Sequence, residues 1–294
     1  MSDQPALRPD LAVGESLREV ARAILAEART AIESPDNSDA VAVHQFRREI
    51  KHWRALLRLL DPFLGAESED LQTTARDIAR DLGGARDPQT ALDALDDLKQ
   101  HDLPLSERSV KNLRKRIDEL RMAGELTALT ADMRLRIAQA LGDADVAVNR
   151  WPIEALKFAD VAKQLAASYR AARRAVPESW SKASPDALHE LRKLVVIHRY
   201  QMQVVQPLWK RFTKMWIAEA QRLRERLGQH HDLEVLQKLT EAGQPLASWR
   251  ARLDPPIAAR QRRHVAAARK VATRLFVDKP SAFRRRLVVM WKTG

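Results

Sequence analysis

The sequence predicts an all-α protein, and three observations carry that expectation. Apolar residues recur at intervals of three and four along nearly all of the 294 residues, only 9 glycines interrupt them, and alternating Val/Ile/Thr runs bounded by turn residues are missing. The periodicity predicts helices over 15–33, 40–61, 67–83, 88–100, 106–121, 125–141, 154–176, 186–206, 208–228, 232–242 and 256–276. Ser38 and Asp39 precede the second of these as caps, and Ser184 followed by Pro185 places proline at the first helical position of the eighth.

With 45% apolar side chains the chain can bury one large core or two smaller ones. No run approaches the 18 or so apolar residues of a membrane span, and Met1 to Gly14 lacks the basic start and apolar stretch of a secretory signal, so a cytoplasmic location is expected. The absence of cysteine excludes a disulfide framework, thiolate metal ligands and catalytic thiols. A formal charge of +12 from 51 Lys and Arg against 39 Asp and Glu attracts anions, and by itself it leaves nucleic acid, anionic membrane and phosphate polymers open.

Comparing the chain with itself at an offset of 145 residues exposes a repeat. His44-Gln45-Phe46-Arg47-Arg48 falls on His189-Glu190-Leu191-Arg192-Lys193, Arg54 on Arg199, Pro62 on Pro207, Leu82-Gly83 on Leu227-Gly228, and Asp87 on Asp232. The repeat predicts two related helical bundles, over 10–147 and 148–280, meeting around Asp143 to Pro152 and followed by a basic tail over 281–294. A pseudo-twofold arrangement would set equivalent basic surfaces against one shared cleft.

Within the helix predicted over 40–61, His44, Arg47, Lys51, Arg54 and Arg58 follow spacings of three and four and so share one face, which Arg48 widens. Phe46, Ile50, Trp53, Leu57 and Leu60 repeat the spacing on the opposite face, where they would pack into a core. From His44 to Arg58 the stripe is about 21 Å long, at about 1.5 Å per residue, enough to follow an extended polymer. A solvated face is the plainer reading, but like charges at i, i+4 cost about 0.2–0.5 kcal/mol per pair, and only Glu49 interrupts the cations between His44 and Arg58. An anionic partner would relieve that repulsion. The second copy carries His189, Arg192, Lys193 and Arg199, while Val196 and Gln203 stand where Lys51 and Arg58 stand in the first. His198, equivalent to Trp53, is expected to be structural, and His52 and His101 carry no functional signal.

The third recurring element, Leu82 to Asp87 and Leu227 to Asp232, is expected to be a turn in which Gly83 or Gly228 ends one helix and Asp87 or Asp232 caps the next. Arg86 and His231 occupy equivalent turn positions and would bring a cation to the bundle end. His230-His231-Asp232 is not expected to bind metal, because adjacent histidines on a helix project differently and no ligand motif accompanies them. Arg260, Arg263, His264, Lys270 and Arg274 form a second candidate cationic strip, for which a solvated terminal helix is the alternative.

These motifs resemble the CHAD domain, a helical family marked by two helices beginning His-x-x-Arg, each followed by a Leu-Gly-x-x-(Arg or His)-Asp turn. Val43-His44-Gln45-Phe46-Arg47, Leu188-His189-Glu190-Leu191-Arg192, Leu82 to Asp87 and Leu227 to Asp232 match in order, across about residues 10 to 280. The resemblance implies two four-helix bundles with a basic cleft that binds inorganic polyphosphate, with roles for His44, Arg47, Arg48, Lys51, Arg54, His189, Arg192, Lys193 and Arg199. Val196 departs from that pattern. Some members are fused to a triphosphate-processing domain marked by a Glu-x-Glu-x-Lys strand, which this sequence lacks, as it lacks a Walker loop and an acidic metal cluster. The expectation is therefore a non-catalytic binder without cofactor or metal, gathering on polyphosphate granules; the alternatives are a nucleic-acid-binding helical protein and, behind it, a phosphohydrolase or histidine phosphocarrier using His44 or His189. Nucleic acid is expected only as a non-specific competitor, since the 15 aromatics fall mostly on packing faces and leave few for base stacking.

Overall fold

A computed structural model describes residues 5–82, 86–101, 103–125 and 129–293. These residues form eleven α-helices and two short 3-10 turns, with no strand among them. In chain order the helices are α1 (Val13–Glu33), α2 (Asp39–Leu64), α3 (Ala66–Asp81), α4 (Arg86–Lys99), α5 (Glu107–Glu125), α6 (Ala131–Arg150), α7 (Phe158–Arg174), α8 (Pro185–Val204), α9 (Lys210–Lys238), α10 (Arg250–Leu275) and α11 (Pro280–Thr293).

The starts of the two helices that carry the His-x-x-Arg motifs follow from local chemistry. The Ser38 side chain accepts from the Val41 N–H, and the Ser184 side chain accepts from Ala187 N–H at 3.2 Å with Pro185 in the first turn, so each serine satisfies a donor that helix geometry leaves without a partner. Helix α2 continues through Pro62 and ends at Gly65, whose φ of 63° lies in the left-handed region open to glycine. That single residue turns the chain directly into α3.

Helices α1, α2, α3, α6, α7, α8 and α11, with the first half of α9 and the end of α10, share one large apolar core. A smaller core unites α4 and α5 with Leu233 and Leu236 of α9 and Leu253 and Ile257 of α10. The boundary expected at 147/148 falls inside α6 and does not separate these cores, because α2 packs directly on α7 and α8 and the Trp53 ring stacks on Trp151 at 5.8 Å. The link between the halves is the segment 151–157, against which α1 is pressed so closely that a Cβ on Gly14 would meet the Ile153 carbonyl oxygen at 1.9 Å.

Two further expectations are corrected. No break separates 228 from 232: α9 runs unbroken through Gly228 and Asp232, so Gly228 ends no helix and Asp232 caps none. Its first half carries Trp216, Ala220, Leu223 and Leu227 into the large core and its second half carries Leu233 and Leu236 into the small one, so one continuous helix serves both. The basic tail expected over 281–294 is the helix α11, since Phe283, Leu287 and Met290 form a buried stripe beneath its arginines. Phe283 stacks on Tyr169 at 4.5 Å.

Candidate polyanion-binding site

The apolar face of α2 is buried as its periodicity requires: Phe46, Ile50, Trp53, Leu57 and Leu60 are at most 4% exposed. The opposite face therefore carries the cations. His44, Arg48 and Arg58 are exposed, and Arg47, Lys51 and Arg54 are half-buried. Arg47 has a second duty, since its Nη1 donates to the Leu82 carbonyl at 2.8 Å and closes the end of α3. Around Arg54 cations crowd: burial, then Arg58, then Arg76 of α3 push its guanidinium below the ordinary value. Arg76 was not among the expected site residues, because its position on α3 acquires meaning only when α3 packs beside α2.

The single acid of this stretch is withdrawn from the face. Glu49 is 3% exposed, accepts from Arg48 Nε at 2.6 Å, and lies 2.7 Å from Nδ1 of His52. Burial pushes the Glu49 carboxyl up, but His52 and Arg48 more than offset this and hold it below the usual carboxylate range. His52 Nε2 in turn meets Oε1 of Gln203 on α8 at 3.1 Å. Gln203, expected on the second stripe, is thus buried in the contact between α2 and α8, where His52 is one polar link and Gln201 Nε2, donating to the Ala55 carbonyl at 3.0 Å, is another.

On α8 the structure brings His189, Arg192 and Lys193 together with His231 of α9. The rings of His189 and His231 lie 4.7 Å apart at 40°. A Cβ on Gly228 would come within 3.4 Å of the Arg192 guanidinium, so this glycine gives Arg192 room beside α9. Burial, then Lys193 and Arg192 hold His189 below the ordinary histidine value, and burial, then Arg192 and His189 do the same to His231. Glu234, at ion-pair distance from His231 at 3.5 Å, opposes this. The Nδ1 of His189 is buried without a hydrogen-bond partner. Further along α8, the Arg199 guanidinium sits 4.0 Å over the Tyr200 ring, and burial lowers its pKa, with Arg224 of α9 adding to the effect. Arg86 opens α4, but its side chain, like Gly83, lies outside the described residues; Asp87 stands within the first turn of α4 and does not precede it.

His198 is structural, as its position predicts. It is fully buried, Trp216 Nε1 donates to its Nε2 at 3.1 Å, its Nδ1 meets Ser168 Oγ at 3.0 Å, and burial lowers its pKa to about 3. The second strip on α10 divides. Arg260 and His264 are buried and hold Asp97 of α4, Arg260 through two bonds of 2.8 and 2.6 Å and His264 at 2.9 Å, whereas Arg263, Lys270 and Arg274 are exposed. Neither a five-membered cationic strip nor a wholly solvated face describes it.

The arrangement suits anion binding, with guanidiniums crowded around Arg54 on α2 and α3, and imidazoles held beside Arg192 on α8 and α9. Among the described residues, no helix is long and apolar enough to cross a membrane. The CHAD domain family model matches residues 15–241. A crystal structure of the CHAD domain from the plant Ricinus communis is similar in fold at a TM-score of 0.58 and 19% identity, covering 98% of this chain and 96% of that one. No curated protein sequence matches the chain. A family model spanning most of the chain, on a fold shared with a solved member along nearly its whole length, makes this chain a member of the CHAD domain family.

Proposed function

We propose that the chain binds inorganic polyphosphate, without catalysis, along the basic faces of α2 and α8, extended by His231 of α9. The observation that carries this reading is the crowding of like charges: Arg54 against Arg58 and Arg76 on one side, and His189 and His231 against Arg192 on the other. Such crowding costs free energy in the unliganded protein and is relieved by an anion that reaches several cations at once. A linear chain of phosphates presents charge at short, regular intervals and suits a face about 21 Å long, at about 1.5 Å per helical residue. The residues proposed to make contact are His44, Arg47, Arg48, Lys51, Arg54, Arg58, Arg86, His189, Arg192, Lys193, Arg199 and His231. The withdrawal of Glu49 into the contact between α2 and α8 leaves that face of α2 to its cations. Membership of the CHAD family, which is associated with polyphosphate, favours this polymer over a nucleic acid. The two halves are proposed to be an internal duplication, whose equivalent faces line a shared basic cleft, and the protein to reside in the cytoplasm on polyphosphate granules.

Competition tests the reading. Long-chain polyphosphate should displace a fluorescent duplex or single-stranded oligonucleotide at equal phosphate concentration, and incubation with magnesium should release no phosphate. Failure to displace would transfer the site to nucleic acid, and phosphate release abolished by His44→Ala would make the protein an enzyme.

A further inference from the structure

On the far side of α8 from Lys193 an open groove of about 1090 Å³ runs along α10, walled by Trp180, Leu188 and Val265 and edged by Arg262, Arg269, Lys270 and Arg274. No carboxylate lines it. Its two ends differ in chemistry. At one, His230 and Gln261 offer neutral hydrogen-bonding groups beside a single cation, Arg262; at the other, Arg269, Lys270 and Arg274 cluster eight to thirteen residues beyond Gln261 along α10, about 12–20 Å at 1.5 Å per residue. His230 is 9% exposed, reaches the groove, and makes no hydrogen bond or ion pair among the described residues. Burial lowers its pKa, so the ring favours the neutral form, which can donate from one nitrogen and accept at the other. His230 and His231, adjacent in sequence and about 100° apart around α9, thus face different surroundings.

An inorganic phosphate chain has no use for the apolar wall of Trp180, Leu188 and Val265. We propose that this groove binds a nucleoside triphosphate, its base between Leu188 and Val265 with His230 and Gln261 at the base edge, and its phosphates on Arg269, Lys270 and Arg274. Apolar walls with a few convergent polar groups are the usual composition of such a site, and the groove is large enough to admit a ligand of that size. The groove's α10 wall lies beyond residue 241, where the family model's match ends. The inference stands independently of the polyphosphate reading, which concerns other faces.

Calorimetric titration of the full chain with ATP, adenosine and inorganic tripolyphosphate tests it. In the Arg54→Met/Arg192→Met background, which weakens the basic faces of α2 and α8, ATP should bind one to one, about tenfold or more tighter than either fragment. Ala266→Trp, which fills the groove from an exposed position, and Arg269→Ala/Lys270→Ala, both exposed, should each weaken ATP by about tenfold or more, as expected for lost charge-assisted contacts. Arg54→Met/Arg192→Met should leave ATP binding unchanged. In Arg54→Met/Arg192→Met, where the basic faces of α2 and α8 are weakened, tripolyphosphate binding as tightly as ATP would overturn the assignment; so would ATP binding that survives both groove variants and is lost in Arg54→Met/Arg192→Met, which would place ATP on those faces. Absence of saturable ATP binding would overturn it outright.

Discussion

The imidazoles of His189 and His231 lie 4.7 Å apart, one from α8 and one from α9, with Arg192 acting on both. Burial and the cations Arg192 and Lys193 depress His189, burial with Arg192 and His189 depresses His231, and Glu190 and Glu234 oppose from α8 and α9. A bound polyanion reverses the balance and raises both pKa values relative to the free protein. Binding therefore takes up protons. The histidine contribution is full below the free-state pKa, which itself lies below the ordinary value, and is lost as pH rises through the bound-state pKa, by about tenfold in affinity per histidine for each unit separating the two. Calorimetry with polyphosphate from pH 5 to 8 at fixed ionic strength, in buffers of different ionisation enthalpy, should show proton uptake that His189→Gln/His231→Gln reduces. An identical pH slope in both proteins would make these histidines structural.

Gly228 supports the same cluster by its smallness, and it sits in helical conformation inside α9. A methyl there would meet the far end of the flexible Arg192 side chain at 3.4 Å, a contact that small adjustments accommodate. Gly228→Ala should therefore stabilise the protein by about 0.5–1 kcal/mol, the usual gain for alanine over glycine in a helix interior. Urea denaturation checks this. A loss of stability would mean that the Arg192 position is rigidly set.

Asp97 ties the small core together by accepting from Arg260 and meeting His264. Burial raises its carboxyl, but Arg260 and His264 more than offset this and keep it below the usual range. Asp97→Ala leaves a guanidinium that is 10% exposed without its partner, and the expected loss is about 3–5 kcal/mol in a denaturant titration. Polyphosphate affinity at a temperature where the variant stays folded should not change.

The two-sided character of α2 was legible because helical periodicity alone separates Phe46, Ile50, Trp53, Leu57 and Leu60 from the cations. His198 was legible for the same reason. What escaped depends on partners distant in sequence. Arg260 and His264 look like surface cations until Asp97 of α4 comes beside them, and Gln203 looks like a weakened stripe until His52 of α2 meets it. Glycine is ambiguous by nature: Gly65 turns the chain with a positive φ, whereas Gly228, which reads as a helix end in the sequence, admits a guanidinium from a neighbouring helix. The buried stripe of α11 was hidden by the arginines between its members.

Arg54 offers the most direct measurement of the central claim, because crowding there predicts opposite signs for stability and binding. Arg54→Met keeps the apolar stem while removing a charge repelled by Arg58 and Arg76. Its stability in urea should equal or exceed that of the wild type. Binding of fluorescently labelled long-chain polyphosphate, followed by anisotropy at 0.15 M salt, should weaken about tenfold or more, since a charge-assisted contact contributes about 1.5–3 kcal/mol. Arg54→Met/Arg192→Met should weaken it about a hundredfold. A folded double variant with wild-type affinity for polyphosphate would contradict the account and remove the site from these helices.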